Sequence, residues 1–281
     1  MTSAIPGFVE RSAALARGLI VIAALLAPRA SAQPAPESAA AARATDAAAD
    51  RPAPPRWCAE ELSELGDGMC YFEAAADAPP TTLILFLHTL VGANSSWQWE
   101  QQRLMARTAK AHGLAVLMPR GRRGIGPGRA PDVWAWPTSA RAQAKVEDEL
   151  VAEWQAARAA VETKRGRAFE RVLVFGFSNG AYYATSLAMR ARLEVDGYGI
   201  FAGGSGGKYH KLLAAKVERK TPIFVGYGSR DQARRDMQSL VEMLRDLNWP
   251  HRSKVQRVGH IVTDDQLRGA ITFLNPKAAE G

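Results

Sequence analysis

Strand-like and helix-like segments alternate along the chain from residue 82 to residue 273, and this alternation restricts the fold more than any other feature of the sequence. The strand-like runs are short and apolar, and they cover residues 82–88, 115–119, 171–177, 197–202, 223–228 and 254–258. The helix-like runs are longer and amphipathic, and they cover residues 95–112, 141–164, 179–192, 208–218, 232–247 and 264–273. Such alternation is typical of crossover units. It predicts an α/β fold with a mostly parallel central sheet and helices on both faces, and residues 69–73 are expected to add an antiparallel edge strand.

Residues 1–32 have the three-part layout of a secretory signal peptide. A basic front precedes an apolar run at residues 18–27, and Ala30-Ser31-Ala32 forms a small-residue cleavage site before Gln33. The apolar run has ten residues, whereas a membrane-spanning helix needs about 20. We expect cleavage after Ala32, which predicts a secreted or periplasmic protein without a membrane segment. An uncleaved anchor is the alternative.

Residues 33–56 are rich in alanine and proline. Of the 23 residues from 33 to 55, 15 are Ala or Pro. A segment of this composition cannot bury a core, so it predicts a disordered linker. We expect the folded domain to cover residues 57–281.

Cys58 and Cys70 are the only cysteines of the chain. Export would make a disulfide permissible, and we predict that the two cysteines pair. Closing so short a loop stabilises a fold by roughly 3 kcal/mol. Two buried free thiols are the alternative, and no metal or cofactor is expected.

The chain is basic, with a formal charge of 36 − 28 = +8. A basic balance favours anionic surfaces or substrates without fixing a fold. No basic helix with interleaved aromatic residues and no zinc-finger spacing occurs, so nucleic-acid binding is not expected. The densest basic run, Arg120, Arg122, Arg123 and Arg129, is interpreted as part of a solvated loop.

The residues that follow the predicted strands are the candidates for chemistry, because ligands of parallel sheets bind at the carboxyl ends of the strands. After strand 171–177 the chain reads Gly176-Phe177-Ser178-Asn179-Gly180 and then continues as a helix. A serine in such a tight turn projects its hydroxyl above the sheet. A second match surrounds Ser205, but four glycines would leave that serine loose. We therefore predict that Ser178 is the nucleophile.

A serine hydroxyl needs a base and an orienting carboxylate to act as a nucleophile. Asp231 follows strand 223–228, and His260 follows strand 254–258. The chain order of serine, acid and histidine is the one expected for such a turn. We predict that His260 is the base and that Asp231 orients it. The alternatives are that Asp231 caps the following helix and that His260 is an ordinary loop residue.

Two backbone N–H groups are expected to bind the oxyanion of the reaction. One is the N–H of Asn179, directly after Ser178. The other lies in the loop after strand 82–88, and we assign it to Leu90.

With this pattern of residues the chain resembles the α/β-hydrolase superfamily. Within that superfamily it is similar to small secreted esterases of the feruloyl esterase and polyhydroxybutyrate depolymerase type. The resemblance spans about residues 81–275 and depends on His88, the turn around Ser178, Asp231 and His260. Thr89 stands where that family usually has glycine after the histidine. The resemblance implies that residues 57–281 are an α/β-hydrolase catalytic domain.

The resemblance implies a serine hydrolase that cleaves a carboxylic ester, of a small molecule or a polymer, through an acyl-enzyme. A peptidase or amidase with the same triad is one alternative, and a catalytically silent binding protein is another. Trp134 and Trp136 lie in the loop that follows the predicted strand ending at Pro119, and Tyr182 is close in sequence to Ser178. All three are expected to contact substrate. The alternative for the two tryptophans is packing. The state of assembly is left open.

Overall fold

The computed structural model describes residues 56–66, 68–75 and 79–276. The predicted signal peptide at 1–32, and the predicted linker apart from Arg56, lie outside the described residues. The strands are β1 Ser63–Glu64, β2 Cys70–Glu73, β3 Thr82–Leu87, β4 Val91–Gly92, β5 Ala115–Met118, β6 Arg122–Arg123, β7 Val133–Ala135, β8 Arg171–Phe177, β9 Gly197–Phe201, β10 Ile223–Gly228 and β11 His251–Gln256. The helices are α1 Trp97–His112, α2 Ala140–Arg165, α3 Asn179–Met189, α4 Lys208–Ala214, α5 Arg234–Asp246 and α6 Asp264–Leu274, with a short 3-10 helix at Pro127–Arg129.

The central sheet has the strand order β1-β2-β5-β3-β8-β9-β10-β11. All neighbours from β5 to β11 are parallel, whereas β2 pairs antiparallel with β5 and β1 pairs antiparallel with β2. The predicted strand at residues 69–73 is therefore present and antiparallel, but β1 and not β2 forms the edge. In the pairing of β3 with β8, Leu87 lies opposite Gly176. The loops after these two strands consequently start side by side.

Helices cover both faces of the sheet, as the alternation of segments predicts. All six residues of β3 are buried, because alternate side chains point to opposite faces. Leu83 and Leu85 belong to the core cluster that includes residues of α2, α3 and α5, and Ile84 and Phe86 belong to the one that includes residues of α1 and α6. The predicted fold class is confirmed. No helix among the described residues is long and apolar enough to span a membrane.

Some elements differ from the sequence prediction. β11 begins at His251, three residues before the predicted strand start, because it is an edge strand with exposed polar side chains that give no apolar signal. α3 and α4 end earlier than predicted, at Met189 and Ala214. A second, three-stranded sheet of order β4-β7-β6 was not predicted, since its strands have only two or three residues.

The predicted disulfide between Cys58 and Cys70 is present in the structure. Gln102 of α1 holds the segment around it. Its Nε2 donates to the carbonyl oxygen of Trp57 at 3.1 Å, and its Oε1 accepts from the N–H of Ala59 at 2.8 Å. The N-terminal segment is thus fastened both to β2 and to α1.

Candidate active site

Ser178 lies in a sharp turn between β8 and α3. Its φ of 54° and ψ of −115° place it in a region that residues other than glycine rarely adopt. The two flanking glycines are required by close backbone contacts. A Cβ on Gly180 would lie 2.1 Å from the carbonyl oxygen of Leu87, and one on Gly176 would lie 2.4 Å from that of Gly180. The packing around this turn therefore holds Ser178 in a strained conformation above the sheet.

His260 bridges Ser178 and Asp231. Its Nε2 lies 2.8 Å from Ser178 Oγ, and its Nδ1 lies 2.9 Å from Asp231 Oδ1. The side chain of His260 is 31% exposed, whereas that of Asp231 is fully buried. Because a carboxylate only accepts hydrogen bonds, Nδ1 carries the proton in the neutral ring, and Nε2 is left to accept from the serine hydroxyl.

Asp231 also shapes its own turn. Its Oδ1 accepts a second hydrogen bond, from the N–H of Ala233 at 2.8 Å. The helix that follows begins at Arg234 and its N-cap is Ala233, so Asp231 does not itself cap it. Asp231 Oδ2 is buried and has no hydrogen-bond partner among the described residues. The carboxylate is thus held through one oxygen.

The loop around Ser205 supports the turn at Ser178. Ser178 donates its backbone N–H to the carbonyl oxygen of Phe201 at 2.9 Å. A Cβ on Gly203 would lie 2.5 Å from the carbonyl oxygen of Ser178, and Gly204 has a positive φ of 95°. Ser205 Oγ accepts from the N–H of Gly207 within the loop. The glycines therefore allow this loop to approach the backbone of Ser178 closely.

The backbone N–H groups predicted to bind an oxyanion belong to the turn at Ser178 and to the loop after β3. Asn179 is the first residue of α3, and its side-chain Oδ1 accepts from the N–H of Trp136 at 2.7 Å. In the loop after β3, the N–H of Thr89 is already occupied by Gln101 Oε1 at 3.0 Å. No hydrogen bond from the N–H of Leu90 to a described residue is found. The assignment of Leu90 and Asn179 as oxyanion donors stays a prediction.

His88 is buried at the start of that loop. Its Nδ1–H donates to the carbonyl oxygen of Thr89, and its Nε2 accepts from the N–H of Gly121 at 2.9 Å. Burial, with a smaller contribution from the Arg120 guanidinium, lowers the pKa of His88 to about 4. A neutral His88 therefore supports the backbone before Leu90.

Of the three predicted substrate contacts, the structure contradicts the one assigned to Trp136. Its side chain is 0% exposed, and its indole N–H donates to the carbonyl oxygen of His88 at 2.8 Å. Trp134 is partly exposed, and the guanidinium of Arg120 lies 4.3 Å from its ring centre. Tyr182 is partly exposed and donates its hydroxyl to Asp236 Oδ2 at 2.5 Å. Substrate contact by Trp134 and Tyr182 stays a prediction.

A pocket that was not predicted from the sequence lies beside His260. It has a volume of about 480 Å³. It lies between α1 and the segment 260–264, and Phe86 and Phe177 also line it. Trp97 and Ile261 contribute large apolar side chains that are 45% and 48% exposed. The apolar residue directly after His260, Ile261, is the sequence signal from which this pocket could have been predicted.

Comparison with protein families identifies one match. Residues 70–279 match the family described as "Dienelactone hydrolase family". None of the curated proteins compared with the sequence matches it.

Several solved structures are similar to this fold. Esterase PE8 superposes with a TM-score of 0.54 at 19% identity, over 77% of this chain and 99% of that one. A variant of Arabidopsis thaliana SOBER1 gives 0.54 at 15% identity, over 70% and 98%. The Staphylococcus aureus fluorophosphonate-binding serine hydrolase FphF gives 0.53 at 14% identity, over 74% and 92%. At such identities the likeness concerns the fold alone, and it confirms the predicted α/β-hydrolase fold.

Proposed function

The chain belongs to the dienelactone hydrolase family and is a hydrolase, and on this basis we propose that it cleaves carboxylic esters with a Ser178–His260–Asp231 triad. The observation that carries the proposal is the continuous hydrogen-bond chain from Asp231 through His260 to Ser178. Each contact is 2.8 or 2.9 Å long, and the contact between His260 and Ser178 is within the range that proton transfer requires.

In the first half of the reaction Ser178 is acylated. His260 Nε2 takes the hydroxyl proton while Ser178 Oγ attacks the ester carbonyl carbon, and the carbonyl oxygen becomes an oxyanion. The N–H groups of Asn179 and Leu90 would bind that oxyanion. When the tetrahedral intermediate collapses, the bond to the alcohol oxygen breaks, and that oxygen receives the proton from His260.

In the second half water replaces the alcohol. His260 Nε2 takes a proton from the water, whose oxygen attacks the acyl carbon. The bond to Ser178 Oγ breaks, Ser178 recovers its proton from His260, and the carboxylic acid leaves. Asp231 stays ionised and holds the imidazole in the tautomer that both halves need.

An organophosphonate probe tests the nucleophile directly. We expect the full chain to be labelled, and peptide mapping to place the label on Ser178. Labelling elsewhere, or none under conditions in which a known serine hydrolase reacts fully, contradicts the proposal and favours the silent binding protein.

Matched ester and anilide substrates of the same acyl group test the leaving group. We expect the ester to be hydrolysed with the higher kcat/KM. A higher kcat/KM for the anilide would identify a peptidase or amidase instead. Acyl chains of increasing length and hydroxycinnamate esters then test the predicted similarity to feruloyl esterases and polyhydroxybutyrate depolymerases.

We also propose that the hydrolase acts outside the cytoplasm. The signal-like segment 1–32 and the Cys58–Cys70 disulfide support this, since disulfides persist in oxidising compartments. The N-terminal residue of the exported protein tests it, and we expect Gln33.

A further inference from the structure

One face of α1 forms a wall of the pocket beside His260. Trp97, Glu100, Gln101, Leu104 and Arg107 all line it. Their spacing of three and four residues places them on one side of the helix. This volume, called here the α1 pocket, is about 480 Å³ and lies within the usual range of small-molecule sites.

The α1 pocket is lined mainly by apolar side chains, and its charged side chains lie at exposed positions. Phe86 and Phe177 are buried in its floor. Its charged lining residues, Glu100, Arg107 and Asp264, are all exposed. A group that enters it deeply must therefore be uncharged, because an unpaired charge would lose its hydration there.

The position of the α1 pocket relative to His260 indicates which part of an ester enters it. During acylation the alcohol oxygen must come within about 2.6–3.2 Å of His260 Nε2 to receive its proton. The acyl carbonyl oxygen has a different destination, the N–H groups of Asn179 and Leu90. His260 itself lines the α1 pocket, and the ring of Phe177 lies 5.3 Å from its imidazole, centre to centre. An alcohol oxygen that approaches His260 would therefore carry its substituent close to the α1 pocket.

We propose that the α1 pocket binds the alcohol part of the ester and selects alcohols that carry an apolar aryl group over small alkyl alcohols. This inference rests on the proposed esterase function. The aromatic side chain of Trp97 and the apolar side chain of Ile261 form the outer wall that an aryl group would contact. Both are about half exposed, so replacing them leaves the core intact.

Two series of esters separate the alcohol site from an acyl site. In the first the acyl group is always acetyl and the alcohol is methyl, benzyl or 2-naphthylmethyl. In the second the alcohol is always methyl and the acid is acetic or 3-phenylpropionic. Each ester is compared with itself in wild type and variant, so its intrinsic reactivity cancels.

We expect Trp97→Ala to lower kcat/KM for 2-naphthylmethyl acetate by about 10-fold. The same variant should change kcat/KM for methyl acetate and methyl 3-phenylpropionate by less than about 2-fold. Ile261→Ala should act in the same direction. Leu212→Ala, which removes a 60% exposed apolar side chain from α4, is the matched control and should change none of them.

Burst kinetics add a readout that a merely structural change would not produce. All acetate esters pass through the same acetyl-enzyme, from which the alcohol has already left. Because an alcohol site is then empty, the acetyl-enzyme should be hydrolysed at the same rate in wild type and in Trp97→Ala. The proposal is overturned if the loss of kcat/KM in Trp97→Ala depends on the size of the acyl group, or if it is equal for every ester.

Failure of the proposed function has a different signature from failure of this inference. If wild type hydrolyses no ester and Ser178 resists the phosphonate, the esterase proposal fails and the alcohol site fails with it. If Ser178 is labelled and esters are hydrolysed, but the preference for aryl alcohols is absent or unchanged in Trp97→Ala, only the α1 pocket inference fails.

Discussion

Gln101 Oε1 accepts a hydrogen bond from the backbone N–H of Thr89 at 3.0 Å. This bond joins α1 to the loop that follows β3 and carries Leu90. Because this bond occupies the N–H of Thr89, the next N–H along the loop, that of Leu90, is the one predicted to bind the oxyanion. We therefore predict that Gln101 positions this loop for the proposed reaction.

Replacing Gln101 tests that role. We expect Gln101→Ala to lower kcat by about 10-fold or more with little change in KM. The reason is that a displaced Leu90 N–H would weaken binding of the transition state more than binding of the substrate. Gln98→Ala is the control, since Gln98 is also buried on α1 but its Oε1 has no partner among the described residues. An equal effect of both variants would indicate a general disturbance of α1.

Ser178→Ala should lower turnover on the order of 10⁵-fold, because the variant lacks the hydroxyl that His260 would activate. The far-UV circular dichroism should not change. Ser205→Ala, in the other glycine-rich match, should retain nearly full activity. The reverse pattern in steady-state assays would show that the nucleophile was assigned to the wrong turn.

Asp231→Asn should lower kcat by up to about 10⁴-fold, because an amide does not hold the histidine in the required tautomer. The control is Asp246→Asn, which removes an exposed carboxylate that pairs with Lys211 at 2.8 Å. We expect the control to keep its activity. If kcat falls only slightly in Asp231→Asn, then Asp231 does not orient His260, and its remaining role is the hydrogen bond to the N–H of Ala233.

His88 should make the protein less stable in acid. Burial lowers its pKa from 6.5 to about 4 in the fold, so between these two pH values the unfolded chain binds more protons than the native one. The free energy of unfolding should therefore be highest above pH 6.5, fall as the pH drops to 4, and lose about 3 kcal/mol from this group. When the free energy of unfolding is measured with urea at several pH values in this range, it should depend less on pH in His88→Gln than in wild type. Parallel curves for the two proteins would contradict the assignment.

Removing the disulfide should lower stability without abolishing the triad. The double variant Cys58→Ser and Cys70→Ser should lose roughly 3 kcal/mol of unfolding free energy. Urea unfolding of wild type with and without a reductant gives an independent measure. Equal midpoints in the oxidised and reduced forms would show that the bond does not stabilise the fold.

The sequence predicts local features of this protein well. The ends of β8 and β10 match their predicted limits, because both are mainly apolar runs that are followed by polar turn residues. The turn at Ser178 was also predictable, since strand, serine and helix are consecutive in the chain. The convergence of Asp231 and His260 followed from their positions after parallel strands.

Features that depend on distant packing were not predictable. Trp136 has no local signal that separates a core tryptophan from a surface one, and its burial results from contacts with His88 and Tyr183. The pairing of Gln101 with Thr89 depends on how α1 crosses the sheet. The α1 pocket exists only because α1 and the segment after His260 lie on the same face.

Consecutive glutamines on α1 make two different attachments, Gln101 to the loop of Leu90 and Gln102 to the segment of Trp57. This sets a practical limit on shortening the protein. A truncated chain that began at β3 would keep the whole triad and every parallel strand. It would lack Trp57, whose ring packs against His88 with 5.2 Å between ring centres. Engineering of a minimal version should accordingly retain the chain from Trp57 onward.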